Sequence, residues 1–338
     1  MNHLRVVIPR HGGPNVLRVV EEPLPQPKPG QARIRVEAIG VAFADLLIRR
    51  GLYPGAPPLP LTPGYDCVGI VDALGSGVRE PVPGTRVAAL TVTRSYAQHV
   101  CVRARELVPL SPALDPAEAV CLVLNYVTAQ QMLHRCARPS AGDAVLIHGA
   151  GGGVGTALLQ LGKLAQLALY GTASAAKHEK LSGLGAQLID HHHEDFVGRI
   201  RELTGGSGVR AAFDPIGGRN LWRSYRCLAR GGTLLSYGVS AMTRKGGPAR
   251  LLAAPGTFLS IGLLALVPDG KRLSFYSILS YKRLHPEWFR EDLVHLSGLL
   301  ERRAIVPIVA ERIPLAQAAR AHELLEQAAV VGKIVLIP

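Results

Sequence analysis

The sequence predicts an α/β protein of two domains, one compact and mostly antiparallel β, the other a doubly wound parallel sheet. Three observations carry this reading. A chain of 338 residues exceeds one ordinary core. Its first third is rich in Gly and Pro, with short alternating segments such as Arg33-Ile34-Arg35-Val36-Glu37-Ala38 and Val68-Gly69-Ile70-Val71-Asp72-Ala73-Leu74, which read as antiparallel strands. Beyond residue 136, apolar runs of strand length alternate with helix-length segments as far as Tyr237, and such alternation builds a parallel sheet with crossover helices.

The elements follow in order. Asp115 caps a long helix over 116–136, with Pro116 at its first position. The run Ala144-Val145-Leu146-Ile147 is a buried strand, followed by the turn His148-Gly149-Ala150-Gly151-Gly152-Gly153-Val154-Gly155 and a helix over 154–165. Leu167-Ala168-Leu169-Tyr170 is the next strand. A strand at 187–190, a helix at 194–203, a strand at 211–214, a helix at 220–228 and a strand at 233–237 continue the alternation. Residues 240–270 read as irregular, first basic and then apolar. A β-rich segment at 272–280, a helix at 286–302, a strand, a helix at 315–327 and a strand at 332–337 close the chain. That last strand is expected to return to the first domain, which makes the parallel-sheet domain an insertion. The expected limits are 1–122 with 271–338 for the β-rich domain and 123–270 for the parallel-sheet domain.

Composition excludes several classes. Hydrophobic residues at 48% and charged ones at 19% fit an ordinary enzyme with a sizeable core. The apolar run 251–267 is broken by Pro255, Gly256 and Gly262, too short for a membrane span, and is expected to be buried or to cover a pocket. Five widely spaced cysteines with no C-x-x-C pair read as reduced core residues of a cytoplasmic protein. The N-terminus opens into a strand and carries no signal-peptide core. The net charge of +13 has the sign for nucleic acid or an acidic membrane, but the basic residues are dispersed and no aromatic-rich RNA motif accompanies them. Attraction for an anionic cofactor is the simpler account.

The glycine turn supplies the chemistry. Between a buried strand and a helix, glycines let the backbone approach a pyrophosphate, whose charge then rests on free N–H groups at the helix start. Ala150 stands at the first glycine position of G-x-G-x-x-G, and Gly152 and Gly155 at the others. The expected contacts are Gly151, Gly152, Gly153 and Val154, joined by Gly171 and Gly238. An NAD enzyme usually places Asp or Glu after the second strand, to bind the ribose 2′-hydroxyl. This chain runs Gly171-Thr172-Ala173-Ser174-Ala175-Ala176-Lys177-His178 instead. No acid repels a 2′-phosphate there, and Ser174 and Lys177 can bind one, so NADPH is the expected cofactor. The alternative for Lys177 is a solvated residue on the first turn of a helix.

Further segments resemble the medium-chain dehydrogenase/reductase superfamily, in its zinc-free quinone oxidoreductase branch that includes ζ-crystallin. They are Gly40-Val41-Ala42-Phe43-Ala44-Asp45, Arg49-Arg50-Gly51-Leu52-Tyr53-Pro54, Pro63-Gly64-Tyr65-Asp66-Cys67-Val68-Gly69, Gly84-Thr85-Arg86-Val87 and Ser95-Tyr96-Ala97. Asn125-Tyr126-Val127-Thr128-Ala129, the glycine turn, Asp214-Pro215-Ile216-Gly217-Gly218, Gly231-Gly232 and Val331-Gly332-Lys333-Ile334-Val335-Leu336 continue the match, and only about 240–300 is poorly covered. The resemblance implies a GroES-like β-rich domain, a Rossmann domain with the nucleotide in the cleft between the two, and commonly a homodimer. Zinc-dependent members have Cys where Ala42 stands and His where Tyr65 stands, together with a four-cysteine lobe absent after residues 86–90 here. No metal is therefore expected. Without a Lewis acid, reduction of an already electrophilic quinone or α,β-unsaturated carbonyl is the favoured chemistry.

The resemblance places Thr128 against the nicotinamide and His191 or His192 near the adenosine phosphate, with His192 taken as the contact. Asn125 and Tyr126 are polar residues inside an apolar run, where packing alone does not account for them; the alternative is bonding to neighbouring backbone. Asn125 and Tyr53 are the catalytic candidates, and Tyr53 equally fits a turn aromatic that covers the core. Ala42, Phe43, Tyr53 and Tyr126 are the expected substrate pocket. Ala42 stands where quinone reductases of this type usually have Asn, and Leu47 replaces a Tyr of some relatives, so the small-molecule partner expected is a hydrophobic quinone or enone, with bulky apolar acceptors preferred to small polar ones. Asp45 and Asp66 read as structural, through turn hydrogen bonds. His193 and the basic loop Arg244-Lys245-Gly246-Gly247 read as solvated surface. The reading is thus a zinc-independent NADPH-dependent quinone or enone reductase. Its rival is an RNA-binding or structural protein on a retained reductase fold with little turnover.

Overall fold

A computed structural model describes residues 2–243 and 253–338. They form two compact units, 1–127 with 290–338 and 128–289. The first unit is built on a seven-stranded sheet. Its central strand Gln31–Gly40 pairs antiparallel with Asp66–Leu74, His99–Arg103 and the closing strand Lys333–Ile337. Ala32, Ile34 and Val36 of that strand alternate into a core shared with Val6, Ile48, Tyr96 and Ile313, while Arg33 between them donates to Asp72. The chain end thus returns to the first domain, as the sequence predicts, and the second unit is an insertion.

That second unit is a six-stranded sheet with every pairing parallel. Its spatial order is Ala186–Asp190, Ala168–Ala173, Ala144–His148, Val209–Asp214, Leu228–Ser236, Arg272–Phe275. Counted along the unit this is the 3-2-1-4-5-6 arrangement of the Rossmann fold. The order reverses beside Ala144–His148, the strand that feeds the glycine turn, and crevices at such a reversal bind ligands.

Several expectations are corrected. The cut placed after residue 270 falls after 289, because Arg272–Phe275 pairs parallel with Leu228–Ser236 and so completes the Rossmann sheet. The first cut falls after 127 instead of 122. The segment 272–280 is β only to Phe275; Ser277 then accepts from the Ser280 N–H and opens the helix Ile278–Leu284. Residues Ala253–Ala265 are helical, not irregular, with Pro255 in the first turn, where its missing N–H breaks no bond. Nor is that helix wholly buried: Phe258, Leu259 and Leu263 are exposed on it. The basic loop Arg244-Lys245-Gly246-Gly247 and the first two residues of the apolar run lie outside the described residues.

The expected helix from 116 starts as predicted, with Asp115 accepting from the Ala117 and Glu118 N–H groups. It then widens into π turns at Leu122–Tyr126 and Gln131–Ala137, on either side of Val127–Gln130. Wide turns of this kind concentrate at functional sites, and the first of them carries Asn125 and Tyr126.

Candidate functional site

The glycine turn links Ala144–His148 to the helix Gly153–Leu164. A Cβ on Gly155 would stand 2.3 Å from the Gly149 carbonyl oxygen, so the first helical turn can pack on the loop only without a side chain. Gly152 caps the helix with no side-chain acceptor, which leaves the N–H groups around Gly153 and Val154 to a ligand. Lys177 lies over the same turn, its Cδ 2.9 Å from where a Cβ on Gly151 would be. Its half-buried ammonium has no hydrogen bond or ion pair among the described residues, and burial pulls its pKa below the usual lysine value. An unpartnered buried cation above unbonded N–H groups fits a phosphate-bearing nucleotide. Ser174 precedes the turn that carries Lys177, with its hydroxyl unused as a cap.

The other expected cofactor residues are placed less tellingly. Gly171 is buried where a Cβ would strike Ala150 at 2.9 Å, and Gly238 packs on Pro215, so both allow close packing of the strand ends. His192 is exposed on the turn after Ala186–Asp190. Its neighbour His193 is exposed, as expected of a solvated loop residue, and its Nδ1 also sits 2.6 Å from Asp190 and holds that carboxyl down to about 2. Thr128 is buried in Val127–Gln130.

In the β-rich unit the predicted residues gather around Asp45. This carboxyl is fully buried and accepts from the N–H groups of Ala42 and Gly64, both at 2.9 Å. It thereby ties the start of the helix Phe43–Arg49 to the loop bearing Tyr65. Burial, reinforced by the charge of Asp66, pushes its pKa up to about 7. The Tyr65 and Tyr53 hydroxyls are 2.8 Å apart, with the rings edge-on at 73°. Burial raises the pKa of both, so each stays a neutral phenol. Ala42 and Leu47 are buried and Phe43 half-buried. On the π turn, the Tyr126 hydroxyl is buried without a hydrogen-bond partner, and the buried Asn125 carboxamide has none among the described residues. Among the described residues, the backbone bonding that would have explained these two side chains is not present.

Asp66 departs from the expected turn role. It forms a buried ion pair with Lys333 at 2.7 Å, joining two strands far apart in sequence. Sequence reasoning gave no role to Tyr96 or His322, whose Nε2 and hydroxyl lie 3.1 Å apart beside Asp45. It also missed a polar chain beneath the glycine turn. Fully buried His148 contacts Thr172 through Nδ1 at 3.0 Å and Ser224 through Nε2 at 2.9 Å, and Ser224 lies 3.0 Å from Asp214. The Asp214 carboxylate and the Asn220 carbonyl, 2.9 Å from Ser224, only accept, so the Ser224 hydroxyl donates to that pair, His148 Nε2–H donates to Ser224, and Thr172 donates to Nδ1. Burial lowers the pKa of His148, which keeps the ring neutral and this direction intact. The chain joins three strand ends to the helix Arg219–Arg226. The one available signal was a histidine ending an apolar strand.

The sheet order, glycine turn and β-rich partner unit define a nucleotide-dependent oxidoreductase scaffold, and comparison with known proteins agrees. Residues 28–112 match the family described as alcohol dehydrogenase GroES-like domain, and 184–336 match the one described as zinc-binding dehydrogenase. The chain belongs to the medium-chain dehydrogenase/reductase superfamily, as an oxidoreductase of its quinone oxidoreductase branch. It is 34% identical to quinone oxidoreductase 1 of Escherichia coli over 99% of both chains. It is 33% identical to the rat synaptic vesicle membrane protein VAT-1 homolog, over 98% of this chain and 83% of the relative. The crystal structure of Escherichia coli quinone oxidoreductase complexed with NADPH superposes with a TM-score of 0.87 at 32% identity, covering 99% of this chain and 100% of the other. A mycobacterial protein complexed with NADPH gives 0.85 at 33% identity, with 99% and 100% covered.

Proposed function

We propose that this protein is a zinc-independent, NADPH-dependent reductase of quinones or α,β-unsaturated carbonyls. The observation that carries the reading is Lys177, a half-buried ammonium over the glycine turn with no anionic partner among the described residues. Two similar structures described as NADPH complexes support it. Lys177 and Ser174 would hold the 2′-phosphate, and the backbone of Gly151, Gly152, Gly153 and Val154 the pyrophosphate. Thr128, Gly171, His192 and Gly238 complete the proposed contacts. When bound, NADPH supplies the hydride.

The protein's own groups orient the acceptor and supply its proton. Of two neutral phenols sharing one hydrogen bond, the acceptor keeps a free O–H. The Tyr53–Tyr65 pair therefore offers one O–H to the oxygen that becomes an enolate or quinol, and the Asn125 amide offers another. A proton from Tyr53 or from solvent then completes the reduction. Ala42 and Tyr65 leave no zinc ligands at the positions zinc-dependent members use, and an acceptor already polarised needs no Lewis acid. With Ala42, Phe43 and Tyr126, the proposed pocket favours hydrophobic acceptors, bulky apolar ones over small polar ones. A cytoplasmic homodimer is the proposed state: no described helix is long and apolar enough to cross a membrane, and exposed Phe258, Leu259 and Leu263 supply apolar surface for a second copy. The test is NADPH oxidation screened against quinones, enones and enoyl thioesters. Salt-sensitive RNA affinity without NADPH turnover would overturn the reading.

A further inference from the structure

Thr172, His148 and Asp214 stand at the carboxyl ends of three neighbouring strands of the Rossmann sheet, the edge over which ligands bind in this fold. Three pieces of the candidate coenzyme site leave from that row. The glycine turn follows His148, the loop bearing Ser174 and Lys177 follows Thr172, and the segment Pro215-Ile216-Gly217-Gly218 follows Asp214. The pieces are tied to one another there. The Ala150 N–H donates to the Thr172 carbonyl at 3.0 Å, and Asp214 accepts from the Ile216 and Gly217 N–H groups at 2.7 and 3.0 Å. A Cβ on Gly149 would lie 3.4 Å from the Pro215 ring, so turn and segment are in contact.

The buried chain from Asp214 through Ser224 and His148 gives this row a direction. Because it starts from groups that only accept, it leaves His148 Nδ1 as an acceptor, and the Thr172 hydroxyl must point at it. A buried Nδ1 left without its donor would cost free energy, so the end of the strand Ala168–Ala173 is held in place from Asp214, two strands away. Ser174 comes two residues after Thr172, and the Lys177 N–H donates back to the Ser174 carbonyl at 2.9 Å. The Lys177 ammonium has no partner of its own among the described residues, so its place over Gly151 depends on where its backbone is anchored.

We propose that Thr172 and His148 are positioning residues for coenzyme selectivity, orienting the Ser174–Lys177 loop toward the 2′-phosphate of NADPH, a role that rests on the reading of that loop as the 2′-phosphate site. They touch no coenzyme atom themselves and act through the loop.

The test is titration of NADPH and NADH into wild type, Thr172→Val, Thr172→Ser, His148→Leu, Lys177→Ala and the double variant Thr172→Val/Lys177→Ala. Valine keeps the β-branched shape of Thr172 and removes only its hydroxyl function. Thr172→Val should weaken NADPH by about 3–10-fold, the effect of one lost hydrogen bond, and leave NADH unchanged. Thr172→Ser, which keeps the hydroxyl, should restore the wild-type ratio of the two affinities. His148→Leu removes the acceptor of Thr172 and should lower the ratio likewise; should it not fold, the two Thr172 variants decide. In the double variant the loss of NADPH affinity should be less than the product of the two single losses, because both act on one contact. A lower thermal midpoint for Thr172→Val with an unchanged affinity ratio, a full product in the double variant, or no rescue by Thr172→Ser would each reduce the chain to a structural role and overturn the proposal. An unchanged ratio in Lys177→Ala would instead overturn the 2′-phosphate reading, and the selectivity role with it.

Discussion

Replacing Lys177 separates its two roles in the folded protein. Over the glycine turn its ammonium is half-buried with no anion beside it, and burial lowers its pKa. A lysine whose pKa is lower folded than unfolded binds its proton less tightly in the native state. The charge therefore opposes folding at all pH values below the folded pKa, and stability rises as pH climbs through that pKa toward the unfolded value. Lys177→Ala removes this burden, so the thermal midpoint of the cofactor-free protein should stay the same or rise at neutral pH. Binding moves the other way. A charge-assisted contact to a 2′-phosphate contributes about 1.5–3 kcal/mol, so the variant should bind NADPH roughly 10–100-fold more weakly. NADH, which lacks that phosphate, should bind as before. Titrations of both cofactors, with thermal melts in the presence and absence of NADPH, report the two effects together. Equal wild-type affinities for NADPH and NADH would refute the reasoning, as would an equal loss for both in the variant.

Other expectations are checked as simply. Purified protein should contain no stoichiometric zinc, and chelators should leave folding and activity intact; one zinc per chain lost together with activity would contradict this. The ratio kcat/KM should rise with the apolar size of enone or quinone acceptors, and Ala42→Asn should reduce that preference by restoring a polar group; equal rates for small and large acceptors in both proteins would dismiss it. Ser224→Ala leaves buried His148 and Asp214 each short of a partner, so urea unfolding should show a loss of about 1–3 kcal/mol. Asp45, raised from 3.8 to about 7, makes stability fall as pH rises, whereas His322, lowered from 6.5 to about 3, makes it fall as pH drops. Between about pH 4 and 6.5 the two slopes oppose, so relative to wild type His322→Gln should tilt the stability profile downward with pH and Asp45→Asn upward, by at most about 1.4 kcal/mol per pH unit; parallel profiles for all three proteins would refute the assignment.

The features legible in the sequence are those that neighbouring residues determine. The glycine turn shows because strand, turn and helix follow one another within a short stretch, and the Asp115 cap because it bonds residues two and three positions on. The strand Arg272–Phe275 is short and follows an unreadable stretch, so only its pairing with Leu228–Ser236 reveals which sheet it joins. Exposed Phe258, Leu259 and Leu263 read as core because an apolar run does not announce which of its faces meets solvent.

The same distinction explains why the candidate site was only half visible. Tyr53 was a plausible hydrogen-bond donor from its turn alone, yet its partner Tyr65 registered only as a missing zinc ligand. Asp45 was readable as a turn residue, but its raised pKa comes from full burial, reinforced by the charge of Asp66, and the Tyr96 hydroxyl beside it bonds His322 from the other end of the chain. Lys333 reaches Asp66 over a similar separation. These contacts form only when the closing strand Lys333–Ile337 and the helix Ala318–Glu326 return to the first domain. The insertion of the Rossmann unit is therefore what hides them from the sequence. The polar groups that set the electrostatics around Asp45 come from both sides of the insertion, so that environment exists only once the β-rich unit has closed around it.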